Sequence, residues 1–133
     1  MVRSMEHRRS SQLHHAAFYR TESGEEPVRV FLEQLSPRHR DAVRRQIDHA
    51  CLILDATGLD PEFPRTSHVH GPIRELRCHF GRSLYRVLYA RSGSLVILLH
   101  AFTKRQRRLA SRDIDIAMER LLDFNRRMRK EMG

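Results

Sequence analysis

The stretch that most constrains the fold is residues 72–108, in which short apolar runs alternate with turn-forming residues. Apolar and β-branched side chains fill three consecutive segments, and Gly81 and Gly93 separate them. Runs of this length with glycine at the breaks are typical of strands joined by tight hairpins. The stretch therefore predicts a three-stranded antiparallel meander that forms the core sheet of the protein.

The segments around the meander predict one strand and three helices. Apolar residues recur every three or four positions in the helical segments, and Pro27 and Pro37 stand where first helical turns are expected. The predicted order is β-α-α-β-β-β-α, an α+β fold with helices on one face of the meander and the other face free to bind a ligand. The predicted elements are a strand over 14–20, helices over 25–35 and 37–57, a loop over 59–71, the meander, and a helix over 110–127.

At 133 residues the chain is long enough for one hydrophobic core, so we expect a single domain over residues 14–133. Residues 1–13 are polar and basic and predict a disordered extension. Cys51 and Cys78 lie inside apolar patterns, which is typical of small core residues in a reducing compartment. The sequence contains no apolar run of membrane-spanning length and no signal peptide, so we expect a cytoplasmic protein.

The formal net charge of +9 is unevenly distributed. Residues 1–71 contain ten basic and ten acidic residues, whereas residues 72–133 contain fifteen and six. All of the excess positive charge therefore lies in the meander and in the C-terminal segment after it. Such an asymmetry favours a nucleic acid or another acidic partner over a charge that serves solubility alone.

Arginines interrupt the strands of the meander. If Gly81 and Arg82 form the first turn, Arg77 lies opposite Arg86 and both side chains point to the same face. Like charges directly opposite each other destabilise a sheet. Either Glu75 pairs with one arginine, or a phosphate binds between the two in the bidentate geometry that guanidinium groups provide. We favour the phosphate.

The register of the second hairpin decides whether a histidine joins these arginines. A two-residue turn at Ser92 and Gly93 places Leu99 opposite Arg86, and one additional residue places His100 there instead. Only the second register makes His100 a candidate for proton transfer beside the arginines. The alternative is a core histidine whose hydrogen bonds are satisfied.

The basic run after the last strand predicts a surface for a polyanion such as a nucleic-acid backbone. Tyr85, on the central strand, can stack on a base, although core packing is its ordinary role. The residues that we expect to contact RNA are Arg74, Arg82, Tyr85, Arg105, Arg107 and Arg108.

At these residues the chain resembles the RelE/ParE toxin superfamily. The resemblance rests on ELR at residues 75–77, YRVLY at 85–89 and LLHAFTKRQRR at 98–108, with FYR at 18–20 in support. The most similar group is that of phage-derived RelE-like proteins, which includes the HigB toxins. The resemblance covers roughly residues 17–124.

The resemblance implies a microbial-ribonuclease-like fold and a type II toxin that a cognate antitoxin, a small helix-turn-helix protein, neutralises. Active members cleave mRNA in the ribosomal A site without a metal, so no metal or cofactor is expected. By position, Arg86 resembles the catalytic strand arginine and Arg77 the basic residue of the preceding strand. Lys104 and Arg105 fall where the family has a further basic residue, and His100 substitutes for the C-terminal catalytic tyrosine or histidine.

The expected chemistry is transesterification by the 2′-OH of RNA, with Arg77 and Arg86 on the phosphate and His100 or Lys104 moving protons. Two alternatives share the fold and the basic surface. One is a ParE-type toxin that inhibits DNA gyrase without cutting RNA. The other is a RelE-like protein that has lost its activity and only binds its partner.

Overall fold

The computed structural model describes residues 15–104 and 108–132, which form one five-stranded sheet and three helices. The predicted α+β class is confirmed. The predicted extension over residues 1–13 lies outside the described residues. The elements are β1 (His15–Phe18), α1 (Pro27–Glu33), α2 (Pro37–Thr57), β2 (Thr66–His70), β3 (Ile73–Phe80), β4 (Ser83–Ser92), β5 (Leu95–Thr103) and α3 (Ser111–Met132).

The strands lie in the order β1-β5-β4-β3-β2, so β3, β4 and β5 form the predicted meander at the centre of the sheet. All neighbours are antiparallel except β1, which runs parallel to β5 and pairs only with its first half, from Leu95 to Leu98. The second half of β5 therefore has no strand on its outer side within the described chain.

The strand β2 lies inside the segment that the sequence predicts as a loop, so that part of the prediction is wrong. Its sequence, TSHVH, has only one large apolar residue, because it is an edge strand with one partner. Thr66 is fully buried, and its hydroxyl group donates a hydrogen bond to the carbonyl oxygen of Pro61. This buried hydroxyl fixes the preceding loop to the sheet.

The helices α1 and α2 cover one face of the sheet. Each begins at a proline, as predicted, and α2 ends at Gly58, whose φ of +74° suits the left-handed C-cap position. Their apolar stripes, represented by Leu32 and Val43, pack against Leu76 and Val87 of the central strands. This layer forms the larger of two cores.

The helix α3 covers the opposite face. Its buried residues Ala117 and Leu121 pack against Leu88, Ile97 and Leu99 and form a second core. The expectation of one free sheet face is therefore wrong, because the broad apolar stripe of the last helix needs the sheet to bury it. A site on this face must lie where α3 does not cover the sheet.

Contacts with the sheet and with Tyr19, the residue after β1, hold α3 in place. The hydroxyl group of Tyr19 donates a 2.6 Å hydrogen bond to Asp123, and Arg120 donates a 2.7 Å hydrogen bond to the carbonyl oxygen of Leu99. The guanidinium groups of Arg120 and Arg127 also lie over the Tyr19 ring, 5.9 Å and 5.6 Å from its centroid. In the part of the chain that the structure describes, no helix has the length and apolar character needed to cross a membrane.

Candidate active site

The first hairpin has the predicted register. Gly81 and Arg82 form the turn, and Gly81 has a φ of +60°, a conformation that glycine adopts without strain. Arg77 lies directly opposite Arg86, as predicted, and both side chains point to the α3 side of the sheet.

One buried carboxylate binds both arginines. The Oε1 atom of Glu75 lies 2.9 Å from Arg77 Nη2, and its Oε2 atom lies 3.3 Å from Arg86 Nη1. Glu75 is 2% exposed and Arg86 4% exposed, so solvent screens this contact little. Of the two alternatives, the structure shows the one in which Glu75 pairs with an arginine, and Glu75 pairs with both Arg77 and Arg86. The apposition of Arg77 and Arg86 needs no bound phosphate to explain it.

The second hairpin follows neither predicted register. Its turn residues are Gly93 and Ser94, and a bulge beside Leu88 adds a further shift, so that Phe102 lies opposite Arg86. His100 lies opposite Leu88 instead. Because the residues of a strand alternate between faces, His100 and Arg86 still point to the same side of the sheet. They are diagonal neighbours.

The two residues line one cleft of about 510 Å³ along the outer side of β5. We call it the edge cleft. Helix α1 contributes one wall, and the segment that enters α3 contributes the other. Its principal side chains are Phe31, Arg86, His100, Phe102, Arg108 and Arg112.

The imidazole of His100 is held by an acidic residue of α3. Its Nε2 atom lies 2.7 Å from Oδ1 of Asp113. Burial lowers the pKa of His100 below its usual 6.5, and the Asp113 carboxylate opposes this effect, while Arg120 and Arg112 lower the pKa further. The neutral imidazole is thus favoured near pH 7, and it can accept a proton.

A second cleft of about 240 Å³ lies on the other side of Arg86. Glu75, Arg77 and His68 line it together with Leu109 and Ile114, neither of which lines the edge cleft. Arg77 is further held by a 2.8 Å hydrogen bond to the carbonyl oxygen of Pro64 and lies over the ring of Phe63. Arg86 is thus shared by two clefts, whereas Arg77 lines only the second.

Two residues predicted to contact RNA point to the other face of the sheet. Arg74 lies on the α2 side, where its Nε atom is 3.2 Å from Asp60. Tyr85 is buried among the first core and forms a 2.6 Å hydrogen bond with His39. Strand alternation separates both from Arg77 and Arg86, so the structure does not bring them into the site.

The other basic residues differ in their positions. Arg82 is exposed in the first hairpin turn, and Lys104 follows β5 without lining the edge cleft. Arg108 is exposed and lines the edge cleft. Arg105 and Arg107 lie outside the described residues.

Within residues 15–104 and 108–132, no three histidine, cysteine or acidic side chains form a group that would hold a metal ion. The charged and titratable side chains that line the edge cleft are Arg86, His100, Arg108, Arg112 and Asp113.

Comparison with known families adds an independent finding. The chain matches the family model described as "Phage derived protein Gp49-like (DUF891)" over residues 30–122. The chain belongs to this family. The family consists of RelE-like, phage-derived toxins, which agrees with the resemblance at the toxin level. A search of curated proteins finds no match.

Local sequence patterns do not indicate that three further residues belong to the site of this Gp49-like protein. Asp113 reads only as an acidic residue in a first helical turn, and Arg112 as its solvated neighbour. Phe31 reads as part of the apolar stripe of α1. Each reaches the cleft through tertiary packing at the margin of the sheet, which periodicity along one element does not reveal.

Proposed function

We propose that this Gp49-like protein is the toxin of a type II toxin–antitoxin pair and that it cleaves mRNA on the ribosome in the edge cleft. The observation that carries the proposal is that Arg86 and His100 line the same cleft, although they lie on different strands. Metal-independent RNA cleavage needs a cation that stabilises the charged phosphate and a titratable group that takes the proton of the 2′-OH and returns it to the departing 5′ oxygen.

In the proposed reaction, the 2′-OH of one nucleotide attacks the adjacent phosphate. The bond from phosphorus to the 5′ oxygen of the next nucleotide then breaks, which leaves a 2′,3′-cyclic phosphate and a 5′-OH. Arg86 stabilises the negative charge that develops on the phosphorane. Removal of such a preorganised donor costs about 3–4 kcal/mol of transition-state stabilisation in other enzymes.

His100 moves the protons in this scheme. Asp113 binds Nε2, so Nδ1 is the ring nitrogen that exchanges a proton with the RNA. Asp113 thereby acts as a positioning residue that fixes the ring and its tautomer. We assign proton transfer to His100 rather than to Lys104, because Lys104 does not line the edge cleft.

Glu75 positions the cations. With one carboxylate between Arg77 and Arg86, the group keeps one net positive charge and a fixed geometry. Arg108 and Arg112 at the margin of the cleft add positive charge that attracts an RNA backbone. In this proposal Arg77, which lines the second cleft, contacts the RNA on the other side of the scissile phosphate.

The proposed partners are ribosome-bound mRNA and a cognate antitoxin, and the proposed compartment is the cytoplasm. The excess of nine positive charges in residues 72–133 suits both a ribosomal environment and an acidic antitoxin segment.

Expression in a bacterial host, followed by mapping of mRNA 5′ ends, tests this function. Wild-type protein should arrest growth and produce new mRNA ends in phase with codons. Arg86→Gln and His100→Gln should abolish both effects, and Arg29→Gln, on the exposed side of α1, should abolish neither. Each purified variant must unfold cooperatively, so that loss of activity is not loss of fold.

Growth arrest by the Arg86→Gln variant at wild-type strength would refute the assignment of Arg86. DNA damage with intact mRNA would refute RNA cleavage and favour inhibition of gyrase. Absence of any effect of the wild-type protein would indicate a protein that only binds its partner.

A further inference from the structure

The outer side of β5 has main-chain groups that β4 does not pair, next to the edge cleft. The amide of Lys104 donates a 2.8 Å hydrogen bond to the carbonyl oxygen of Leu84, which makes residues 84 and 104 a hydrogen-bonded pair. In an antiparallel ladder, hydrogen-bonded and non-hydrogen-bonded pairs alternate. The N–H and C=O groups of Ala101 and Thr103 therefore point away from β4, and both residues line the cleft.

This open edge is short. The neighbouring strand β1 ends at Phe18, whose partner is Leu98, and the carbonyl oxygen of Leu99 accepts a hydrogen bond from Arg120. In the described chain, only Ala101 and Thr103 remain to present outward groups between that point and the end of β5. Two residues are too few for a stable added strand, so the edge suits a small planar ligand that forms one or two hydrogen bonds.

Aromatic rings stand on either side of this edge. Phe102 and His100 lie on the α3 side with their ring centroids 5.2 Å apart and a tilt of 31°. Phe31 enters from α1 on the opposite side. A cleft of about 510 Å³ is of the size that holds a small organic ligand. Flat rings beside exposed main-chain donors and acceptors are the surroundings in which proteins bind unpaired bases.

The charges of the cleft indicate what the planar ligand carries. Arg86, Arg108 and Arg112 place three guanidinium groups around it. Among the described residues that line the cleft, the one acidic side chain is Asp113, which is occupied by His100. A ligand with a flat polar ring and a phosphate fits both features.

We propose that the edge cleft is a nucleotide subsite, in which Phe102 and Phe31 flank one base, the main-chain groups of Ala101 and Thr103 bind the edge of that base, and Arg86 binds the attached phosphate. The ligand is RNA in this inference, which to that extent rests on the proposed function. It adds that the protein itself contacts one base next to the scissile phosphate.

Binding of nucleoside 3′-monophosphates to the purified protein, followed by NMR of the backbone amides, tests the subsite. We expect the amide signals of Ala101 and Thr103 to shift with at least one of the four nucleotides. Inorganic phosphate should bind at least several-fold more weakly. Phe102→Leu should weaken nucleotide binding roughly 10-fold, the scale of one lost base stack, without a comparable change for inorganic phosphate.

Phe80→Leu is the matched control, because Phe80 packs on His39 near the first hairpin turn and does not line the cleft. Should Phe102→Leu fail to fold, Phe31→Leu provides the same comparison from the other wall. The subsite is refuted if nucleotides and inorganic phosphate bind equally, or if the shifted amides lie around the second cleft instead.

The experiment separates this inference from the proposed function, because it measures binding and not cleavage. Nucleotide binding at Ala101 and Thr103 by a protein that cuts no RNA would support the subsite and refute the enzyme. RNA cleavage by a protein that binds no nucleotide in the edge cleft would refute the subsite and leave the enzyme.

Discussion

Replacement of Glu75 by glutamine tests how the site is held together. The side chain is 2% exposed, and its two oxygens lie 2.9 Å and 3.3 Å from the arginines Arg77 and Arg86. Glutamine keeps the shape but removes the charge, so two guanidinium groups face each other across the ladder without the carboxylate that joins them. Loss of one partner from a buried ion pair costs about 3–5 kcal/mol, and we expect a decrease of this size in the free energy of unfolding.

Equilibrium unfolding in urea, followed by far-UV circular dichroism, measures this decrease. Glu33→Gln is the matched control: Glu33 lies 2.6 Å from Arg29, but the two side chains are 50% and 39% exposed. An exposed pair contributes about 0–1 kcal/mol, so the control should lose no more than that. Because Arg77 is the more exposed of the two arginines, Arg77→Met in the Glu75→Gln background should restore part of the loss.

A loss of stability in Glu75→Gln no larger than that in Glu33→Gln would refute this role of Glu75. That result would mean that water or a rearrangement of the arginines replaces the carboxylate, and that Glu75 does not fix their positions. A double variant less stable than Glu75→Gln alone would equally contradict the account, because it would show that the unpaired Arg77 charge is not what destabilises the single variant.

Four further predictions concern single groups. Asp113→Asn should lower the pKa of His100 further, because it removes the carboxylate that opposes the effect of burial; an NMR titration of the imidazole that shows a raised pKa would contradict this. The pKa of His100 is lower in the folded state than in the unfolded state, so the imidazole of the unfolded chain becomes protonated at a higher pH. The contribution of His100 to stability should therefore decline as the pH falls from about 6.5 through the folded pKa. Urea unfolding at a series of pH values should show this decline in the wild-type protein and not in His100→Gln. Tyr19→Phe should destabilise the protein by about 1 kcal/mol, since it removes the hydrogen bond to Asp123 that fastens α3; an unchanged unfolding midpoint would refute this role. Burial raises the pKa of Cys78 to about 12 and leaves it inaccessible, so alkylation by iodoacetamide should occur only at the rate of unfolding.

Local patterns predict most of the fold correctly. The glycine at position 81 determines the first turn, and with it the apposition of Arg77 and Arg86, because a two-residue turn leaves one register. The prolines at 27 and 37 and the glycine at 58 mark helix ends by their backbone preferences alone. Each of these features is determined by residues that are adjacent in the sequence, so the sequence is sufficient to predict it.

The errors arise where distant residues decide. The strand β2 has almost no apolar alternation, since it is stabilised by pairing with β3 and by the buried hydroxyl of Thr66. The bulge beside Leu88 shifts the second hairpin by a residue that no local signal marks. The apolar stripe of α3 predicts that this helix packs against something, but it does not identify the partner. The sheet face that α3 covers is therefore predicted, wrongly, to be free.

The site follows the same division. Strand alternation places His100 on the side of Arg86 in only one of the two predicted registers, and the shared side results instead from the turn at Gly93 and Ser94 together with the bulge beside Leu88. Strand alternation also places Arg74 and Tyr85 on the opposite face from Arg86 and His100. A selection of RNA-binding residues by charge and by aromatic ring alone does not take this alternation into account. Asp113 comes to His100 only because α3 folds back over the sheet, and this contact cannot be derived from either segment alone.

The central claim, RNA cleavage by Arg86 and His100 in the edge cleft, is tested most directly by the chemistry of the RNA ends. Purified protein is added to ribosomes programmed with a defined mRNA, and the fragments are analysed by mass spectrometry. The account predicts fragments with a 2′,3′-cyclic phosphate and a 5′-OH, which disappear with His100→Gln. Uncut mRNA, or fragments with a 5′-phosphate, would contradict it.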